Sequence, residues 1–324
     1  MRPVFAVYAE SFDKADPLRG LVVGERPEPT VPDGWTVVDV KAASVNHHDL
    51  WTLRGVGITA DRLPMILGCD AAGTDPDGNP VLVHSVIADP DFDDDESLDP
   101  GRTLLSEMFP GTFADKVAVP ARNVLPLPPG FTMAEAACLP TAWLTAYRML
   151  TTRADLHPGD TVLVQGAGGG VATACIALGR LMGLRVWATS RDEKKRSAAQ
   201  ELGAHAVFES GARLPHRVDA VMETVGAATW DHSLKSLRPG GRIVVSGATS
   251  GPQPPADLNR VFFKQLEIVG STMGTRRELR RLVSLLELSG VRPVIAAEMP
   301  MERAREALDA VAAGDVFGKI VLTR

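Results

Sequence analysis

A cluster of glycines near the middle of the chain has the spacing of a phosphate-binding loop. Residues 162–183, VLVQGAGGGVATACIALGRLMG, place it between an apolar run and a segment of helical pattern. A pyrophosphate needs backbone N–H groups pointing at it and no side chains in the way, which glycines at a helix N-terminus provide. The motif is a GxGxxG variant with alanine at its first and last positions, and its strand–helix setting strengthens it. We predict a dinucleotide held by Gly168, Gly169, Gly170 and Val171.

The residues after the next predicted strand favour NADPH over NADH. NAD sites usually present an Asp or Glu about 20 residues after the loop, where it accepts a hydrogen bond from the ribose 2′-hydroxyl. Here Ser190 and Arg191 follow the strand, and Lys195 lies a turn later. A hydroxyl, a guanidinium and an ammonium suit a 2′-phosphate. The neighbouring Asp192 and Glu193 weaken this preference, so NADH is the alternative.

The elements that must position these residues form two patterns. Up to about residue 125, short Val-rich segments punctuated by Gly, Pro and Asp predict a β-rich domain. From Thr132, which can cap a helix with Glu135 as its partner, strands and helices alternate. That alternation predicts an α/β fold with a doubly wound parallel sheet. The helix after residue 229 is expected to run to the Pro-Gly pair at 239–240.

Composition and charge exclude several classes of function. The chain has 324 residues, which suggests two domains, and a formal net charge of −6, which disfavours nucleic-acid binding. No apolar run reaches the ~18 residues of a membrane span, and the N-terminal residues lack a signal-peptide core. Three widely spaced cysteines predict neither a disulfide framework nor a zinc lobe. We expect a cytoplasmic protein that does not bind membranes.

An acidic segment at residues 89–101, DPDFDDDESLDPG, interrupts the β-rich part. Its residues lack the ordered spacing of a calcium-binding loop. We interpret it as a solvated loop.

The whole chain resembles the medium-chain dehydrogenase/reductase superfamily. The resemblance rests on SVNHHDLWTLRG, LPMILGCDAAG, LPTAWLTAY, the glycine loop, LRPGGRIVVSGATSG and the terminal GKIVLT. It implies a GroES-like catalytic domain (1–125), a Rossmann domain (126–272) and a C-terminal segment (273–324) that returns to the first domain. It also implies cofactor contacts beyond the glycine loop, from Thr141, Gly247, Ala248, Thr249, Met273 and Gly274.

The closest similarity is to the zinc-free quinone oxidoreductase branch. Zinc-dependent members supply a Cys, a His and a second Cys to the catalytic metal, and the matching positions here are Asn46, Cys69 and Thr141. Asn and Thr are poor zinc ligands, so we expect no metal. A mixed site made of Cys69, Asp70 and His48 is the alternative.

The resemblance also implies candidate catalytic residues. Asn46 and Thr141 match residues near the nicotinamide, and Trp51 takes a position that is often Tyr, which removes a phenolic donor. His47 and His48 depart from the family pattern. His48 lies where alcohol dehydrogenases carry a proton-relaying Ser or Thr, so it is either a proton donor or an ordinary side chain of the site wall.

The predicted function is zinc-independent hydride transfer from NADPH to a quinone or an α,β-unsaturated carbonyl. Conjugation already spreads the developing charge of such acceptors, so they need no metal. The alternatives are an NADP-dependent aldehyde reductase or alcohol dehydrogenase, and a non-catalytic NADPH-binding protein. The resemblance further implies a homodimer.

Overall fold

The computed structural model describes residues 3–92 and 94–324, and it divides into two compact units. The first unit comprises Met1–Ala142 and Met273–Arg324, and the second comprises Trp143–Thr272. The first boundary lies 17 residues later than the expected end of the β-rich domain at 125. The shift arises because the helix at Met133–Ala137 packs on strands of the first unit.

The N-terminal part of the first unit is made of short strands, as the punctuated Val-rich segments predict. Its strands are β1 (Pro3–Ala9), β2 (Leu21–Pro27), β3 (Trp35–Ser44), β4 (Met65–Ile66), β5 (Ala71–Thr74), β6 (Pro80–Val83), β7 (Val86–Ile87), β8 (Thr103–Leu104), β9 (Lys116–Pro120) and β10 (Val124–Pro126). Its helices are α1 (His47–Leu53) and α2 (Met133–Ala137). The Thr132–Glu135 capping box of α2 is confirmed, with both hydrogen bonds present.

The second unit alternates helices and strands. Its elements are α3 (Leu144–Arg148), β11 (Thr161–Val164), α4 (Gly170–Leu181), β12 (Arg185–Thr189), α5 (Glu193–Glu201), β13 (Ala206–Phe208), β14 (Val218–Glu223), α6 (Trp230–Ser236), β15 (Leu237–Val245), α7 (Leu258–Phe263) and β16 (Glu267–Gly270). The six strands are all parallel, in the order β13-β12-β11-β14-β15-β16. This is the Rossmann order 3-2-1-4-5-6, so the predicted doubly wound sheet is confirmed.

The C-terminal segment adds α8 (Arg276–Ser289), β17 (Ile295–Pro300), α9 (Ala304–Ala313) and β18 (Lys319–Thr323). Strand β18 pairs antiparallel with β3 and parallel with β17, so the end of the chain completes the larger sheet of the first unit. That sheet has the order β10-β6-β5-β3-β18-β17, with β9 also paired to β3. The pairing brings Lys319 to the end of β3 that leads into α1.

Each unit has its own core. In the first unit, apolar side chains from both faces of β3 and from α1 and α9 pack together, including Val38, Leu50, Leu53 and Leu308. In the second unit, Leu163, Trp187, Val221 and Ile243 lie at the centre of the parallel sheet. Within residues 3–92 and 94–324, no helix is both long enough and apolar enough to cross a membrane.

Two local expectations were wrong. Helix α6 ends at Ser236, and residues 237–240 already belong to β15, because Leu237 is buried and pairs with Val218. The acidic segment is not fully solvated, since Glu96 and Asp99 are buried. Glu96 Oε1 accepts hydrogen bonds from Arg276 N and Nε at 2.6 and 3.2 Å, which attaches the segment to the start of α8. Asp93 of this segment lies outside the described residues, as do Met1 and Arg2.

Candidate functional site

The glycine loop joins the end of β11 to the start of α4. Gly166 and Gly168 have φ of +70° and +144°, backbone conformations that residues with a side chain rarely adopt. Gly169 caps α4 with an ordinary φ of −70°, and a Cβ placed on it would meet no atom within 4 Å. Neither its backbone nor its packing therefore requires glycine at 169. Open space beside a helix N-terminus is the surrounding that a pyrophosphate needs.

A buried polar cluster fixes the backbone under this loop, and nothing in the sequence pattern predicts it. Gln165 accepts a hydrogen bond from Thr189 Oγ1 at 2.6 Å and donates to Ser233 Oγ at 3.0 Å. Glu223, fully buried at the end of β14, accepts from the backbone N–H groups of Val225 and Gly226 at 2.8 and 3.0 Å. These buried hydrogen bonds thus fix the backbone of the loops at the carboxyl edge of the sheet.

The end of β12 presents cationic groups and an acid that is already engaged. The carboxylate of Asp192 accepts hydrogen bonds from Lys194 N and Lys195 N at 2.7 and 3.2 Å as the cap of α5. These backbone bonds lower the pKa of Asp192. Arg191 is exposed, and Ser190 is buried with its Oγ accepting from Asp192 N at 3.2 Å. The carboxylate that weakened the NADPH prediction therefore faces the helix.

The predicted contacts at 247–249 lie in the loop after β15. Thr249 N donates to Thr224 O at 3.3 Å, so this loop lies beside the end of β14. A Cβ on Gly247 would come within 3.0 Å of Thr224 O, so glycine permits this close approach. Ala248 is half-buried and Thr249 exposed. The loop, the glycine loop and the end of β12 all follow carboxyl ends of parallel strands, where doubly wound folds bind ligands.

The other predicted cofactor residues belong to the first unit. Thr141 lies in a π-helical turn at Leu139–Trp143, and its Oγ1 is buried without a hydrogen-bond partner among the described residues. Single π turns are common at functional sites. Met273 is buried with an unusual φ of +52°, and Gly274 beside it is also buried.

His48 is the best-connected candidate catalytic residue. Its Nε2 lies 3.1 Å from Glu107 Oε1, and its Nδ1 lies 3.0 Å from Cys69 Sγ and 3.4 Å from Ser106 Oγ. The neighbouring His47 is exposed and makes none of these contacts. The structure therefore brings together His48, Cys69 and Glu107, of which the last was not predicted. Trp51 lies half-buried on the same helix.

The charges around His48 favour its protonated form. Burial alone lowers the pKa of the ring, but Cys69, Glu107 and Asp49 together raise it well above 6.5. Burial raises the pKa of the Cys69 thiol, so Cys69 is neutral near pH 7, and the carboxylates of Glu107, bonded to Nε2, and of Asp49 favour the imidazolium. Burial raises the pKa of Glu107, but its hydrogen bonds with His48 and Leu104 N outweigh this effect, so the net pKa lies below the usual value.

Asn46 is held in a buried network and has no free polar atom. Its Nδ2 donates to Asp70 Oδ2 at 2.8 Å and to Ser44 O at 3.1 Å, and its Oδ1 accepts from Lys319 Nζ at 2.6 Å. Lys319 also donates to Val45 O at 2.7 Å. The side chain predicted to act in catalysis therefore has a structural role here, joining α1 to β18.

The residues at the positions of zinc ligands do not suit zinc. At Asn46 the ammonium of Lys319 stands beside the amide oxygen, and a second cation would be repelled there. Among the described residues, potential ligand atoms of His48, Asp49 and Cys69 lie within 4.8 Å of one another. Both oxygens of Asp49 already accept backbone N–H groups, those of Asn46 and Gly68. The cluster contains Asp49 and not the expected Asp70.

Comparison with known proteins agrees with this two-part architecture. The family model of the alcohol dehydrogenase GroES-like domain matches residues 32–129, and that of the zinc-binding dehydrogenase matches residues 170–288. Acryloyl-coenzyme A reductase of Sulfurisphaera tokodaii is 27% identical over 94% of this chain and 97% of its own. Quinone oxidoreductase of Mus musculus is 28% identical over 88% of each chain.

Solved structures extend the likeness over the full length. An NAD-dependent alcohol dehydrogenase is 30% identical, with a TM-score of 0.90 over 99% of each chain. A 2-octenoyl-CoA carboxylase reductase in complex with NADP and 2-octenoyl-CoA is 25% identical, with a TM-score of 0.91 over 99% of this chain and 87% of its own. Fold, motifs and these relatives agree: the chain belongs to the medium-chain dehydrogenase/reductase superfamily and is an NAD(P)H-dependent oxidoreductase.

Proposed function

We propose that this protein reduces a carbon–carbon double bond conjugated to a carbonyl, with NADPH as reductant and without zinc. The observation that carries the proposal is the contact between His48 Nε2 and the Glu107 carboxylate at 3.1 Å, which makes His48 a candidate proton donor. The chain also has a phosphate-binding loop, and Lys319 stands beside Asn46, where a zinc ligand would be needed. Enones and unsaturated thioesters give a saturated product in this reaction, and quinones, the other predicted acceptors, would become hydroquinones. The relatives named for acryloyl-CoA, for quinones and for 2-octenoyl-CoA support this class.

The second unit supplies the cofactor site of the proposed enzyme. Gly168, Gly169 and Gly170 with Val171 would hold the pyrophosphate, and Ser190, Arg191 and Lys195 would contact the 2′-phosphate. In the second unit the loop at 247–249 would also contact the cofactor. The cofactor contacts proposed from the first unit are Thr141, Met273 and Gly274. When bound, the reduced nicotinamide supplies a hydride.

The first unit supplies the proton. A conjugated acceptor that gains a hydride becomes an enolate, and a general acid with a raised pKa neutralises it efficiently near neutral pH. His48, whose Nε2 contacts the Glu107 carboxylate, is the acid that we propose. Asn46 does not touch the substrate in this account; it fixes the entry into α1, and with it the position of His48.

Turnover across acceptor classes tests the proposal. NADPH consumption is measured with a quinone, an enone, an unsaturated thioester and an aldehyde, and zinc is measured in the same sample. We expect turnover of conjugated acceptors, little of the aldehyde, and far less than one zinc per chain. Turnover confined to alcohols and aldehydes with stoichiometric zinc would support an alcohol dehydrogenase, and binding of NADPH without any turnover would support a non-catalytic protein.

A further inference from the structure

We propose that Glu107 is the positioning residue of His48, fixing the orientation of the imidazole and the nitrogen that keeps a proton. The contact joins residues 59 positions apart. The catalytic consequence rests on the proposed function, whereas the contact itself involves only residues of the first unit.

Glu107 is anchored independently of His48. Its Oε2 accepts hydrogen bonds from Leu104 N at 2.9 Å and from Thr103 Oγ1 at 3.1 Å, which leaves Oε1 for the imidazole. The side chains of His48 and Glu107 are only 12% and 20% exposed, so water screens the contact weakly. A carboxylate held by two donors before it meets the ring is preorganised to orient that ring.

The chemistry of Glu107 determines the tautomer of His48. A carboxylate only accepts hydrogen bonds, so Nε2 must carry the hydrogen in this contact. Nδ1 faces Cys69 Sγ and Ser106 Oγ, each of which can donate or accept. The titratable groups around the ring are thus Glu107, Cys69 and, on its own helix, Asp49. Nδ1 can gain or lose a proton while the bond at Nε2 persists.

This arrangement accounts for both ring protons of the imidazolium during the proposed proton transfer. In the proposed reaction the imidazolium passes on the Nδ1 proton through Cys69 Sγ or Ser106 Oγ, the two groups that Nδ1 contacts. The ring becomes the neutral Nε2–H tautomer still bound to Glu107 and is recharged from water. The acceptor gains that proton and one hydride. Without the carboxylate the ring would be protonated less of the time and free to turn, as happens when the orienting member of a catalytic triad is lost.

The test is an NMR titration of the resting protein, with Glu107→Gln as the variant. Ring ¹⁵N shifts report both the pKa of His48 and its tautomer. We expect the neutral ring of the parent to carry its hydrogen on Nε2, and the pKa of His48 to fall by roughly one pH unit or more in Glu107→Gln. The alkaline limb of the kcat/KM profile should move to lower pH by the same amount. Glu28→Gln is the control, because Glu28 pairs with Lys116 and does not contact His48.

Two results would overturn the proposal: an unchanged pKa of His48 in folded Glu107→Gln, or a parent whose neutral ring carries its hydrogen on Nδ1. The second needs no variant, so it decides even if Glu107→Gln does not fold. Because the titration requires neither cofactor nor acceptor, it is independent of the turnover screen. An inactive parent with the expected His48 behaviour would refute the proposed function and leave the role of Glu107 intact.

Discussion

His48 shows how far the residue types alone could predict the site. The sequence places it beside Asn46, and the family resemblance makes it a candidate proton donor. Its partners, Cys69 and Glu107, lie 21 and 59 positions away. Only the folded backbone brings them to the ring, so no local pattern could have found Glu107. For Asn46 the resemblance predicted a catalytic role, whereas the structure shows a hydrogen bond with Lys319. That bond depends on the pairing of β18 with β3, which the sequence does not reveal.

Cofactor choice is a prediction at the scale of one side chain. Arg191→Ala should remove most of the preference for NADPH, which we expect to be at least ~10-fold, or about 1.4 kcal/mol, in the parent. The reason is that Arg191 at the end of β12 is exposed and can bind a 2′-phosphate, whereas the carboxylate of Asp192 caps α5. Dissociation constants for both cofactors measure the effect. Arg185→Ala, at the other end of the strand, is the control. Equal constants in the parent would contradict this.

A second residue-scale prediction concerns His84, whose pKa burial lowers to about 3. Its ring nitrogens lack hydrogen-bond partners among the described residues, and Nε2 lies 3.5 Å from Glu96 Oε1. A folded pKa below the unfolded 6.5 means that folding favours the neutral ring. The contribution of this group to the free energy of unfolding is therefore fully present above pH 6.5 and is lost as the pH falls toward 3. Between pH 6.5 and 5 the loss should be about 2 kcal/mol.

Denaturant unfolding at pH 7 and pH 5 measures this loss. His84→Leu should make the free energy of unfolding less dependent on pH, because the ring that must stay neutral is gone. His157→Leu, which replaces an exposed histidine, should leave the dependence as in the parent. An unchanged dependence in folded His84→Leu would show that other groups cause the acid destabilisation.

At the scale of elements, short sequence motifs correctly predicted the features that depend on contacts between residues close together in the chain. The capping box of α2 and the strand–loop–helix around the glycine loop follow from short motifs. The end of α6 was wrong because the pairing of Leu237 with Val218 prevails over the Pro-Gly signal. The acidic segment was misread because Glu96 is stabilised by Arg276, which lies 180 positions away.

The glycine loop yields an element-scale prediction. Gly169→Ala should weaken NADPH binding by ~10-fold or more, since the new methyl group would occupy the space open to the pyrophosphate. The fold should be unaffected, because alanine tolerates the φ of −70° and meets no atom within 4 Å. Thermal unfolding and cofactor titration measure the two effects separately. Gly270→Ala, with similar open space in β16, should change neither. Unchanged binding in Gly169→Ala would contradict the assigned pyrophosphate site.

At the scale of the whole molecule, we expect a homodimer that pairs the free edge strand β16 with its copy. Unpaired edges invite such pairing, and the neighbouring α7 exposes Phe262 and Phe263, the latter to 84%. Phe263→Glu should shift the protein toward monomer in light scattering at micromolar concentration. Leu288→Glu, at an 88% exposed position on α8, should not. A monomeric parent would contradict the prediction.

The central claim is that NADPH reduces a conjugated double bond on this protein, and deuterium tracing tests it most directly. The protein is incubated with NADPH deuterated at C4, on the face that transfers, and an enone or unsaturated thioester in ordinary water. We predict a saturated product with one deuterium at the β-carbon and a solvent hydrogen at the α-carbon. Deuterium on a carbinol carbon, from reduction of the carbonyl itself, or a product without deuterium would contradict the account.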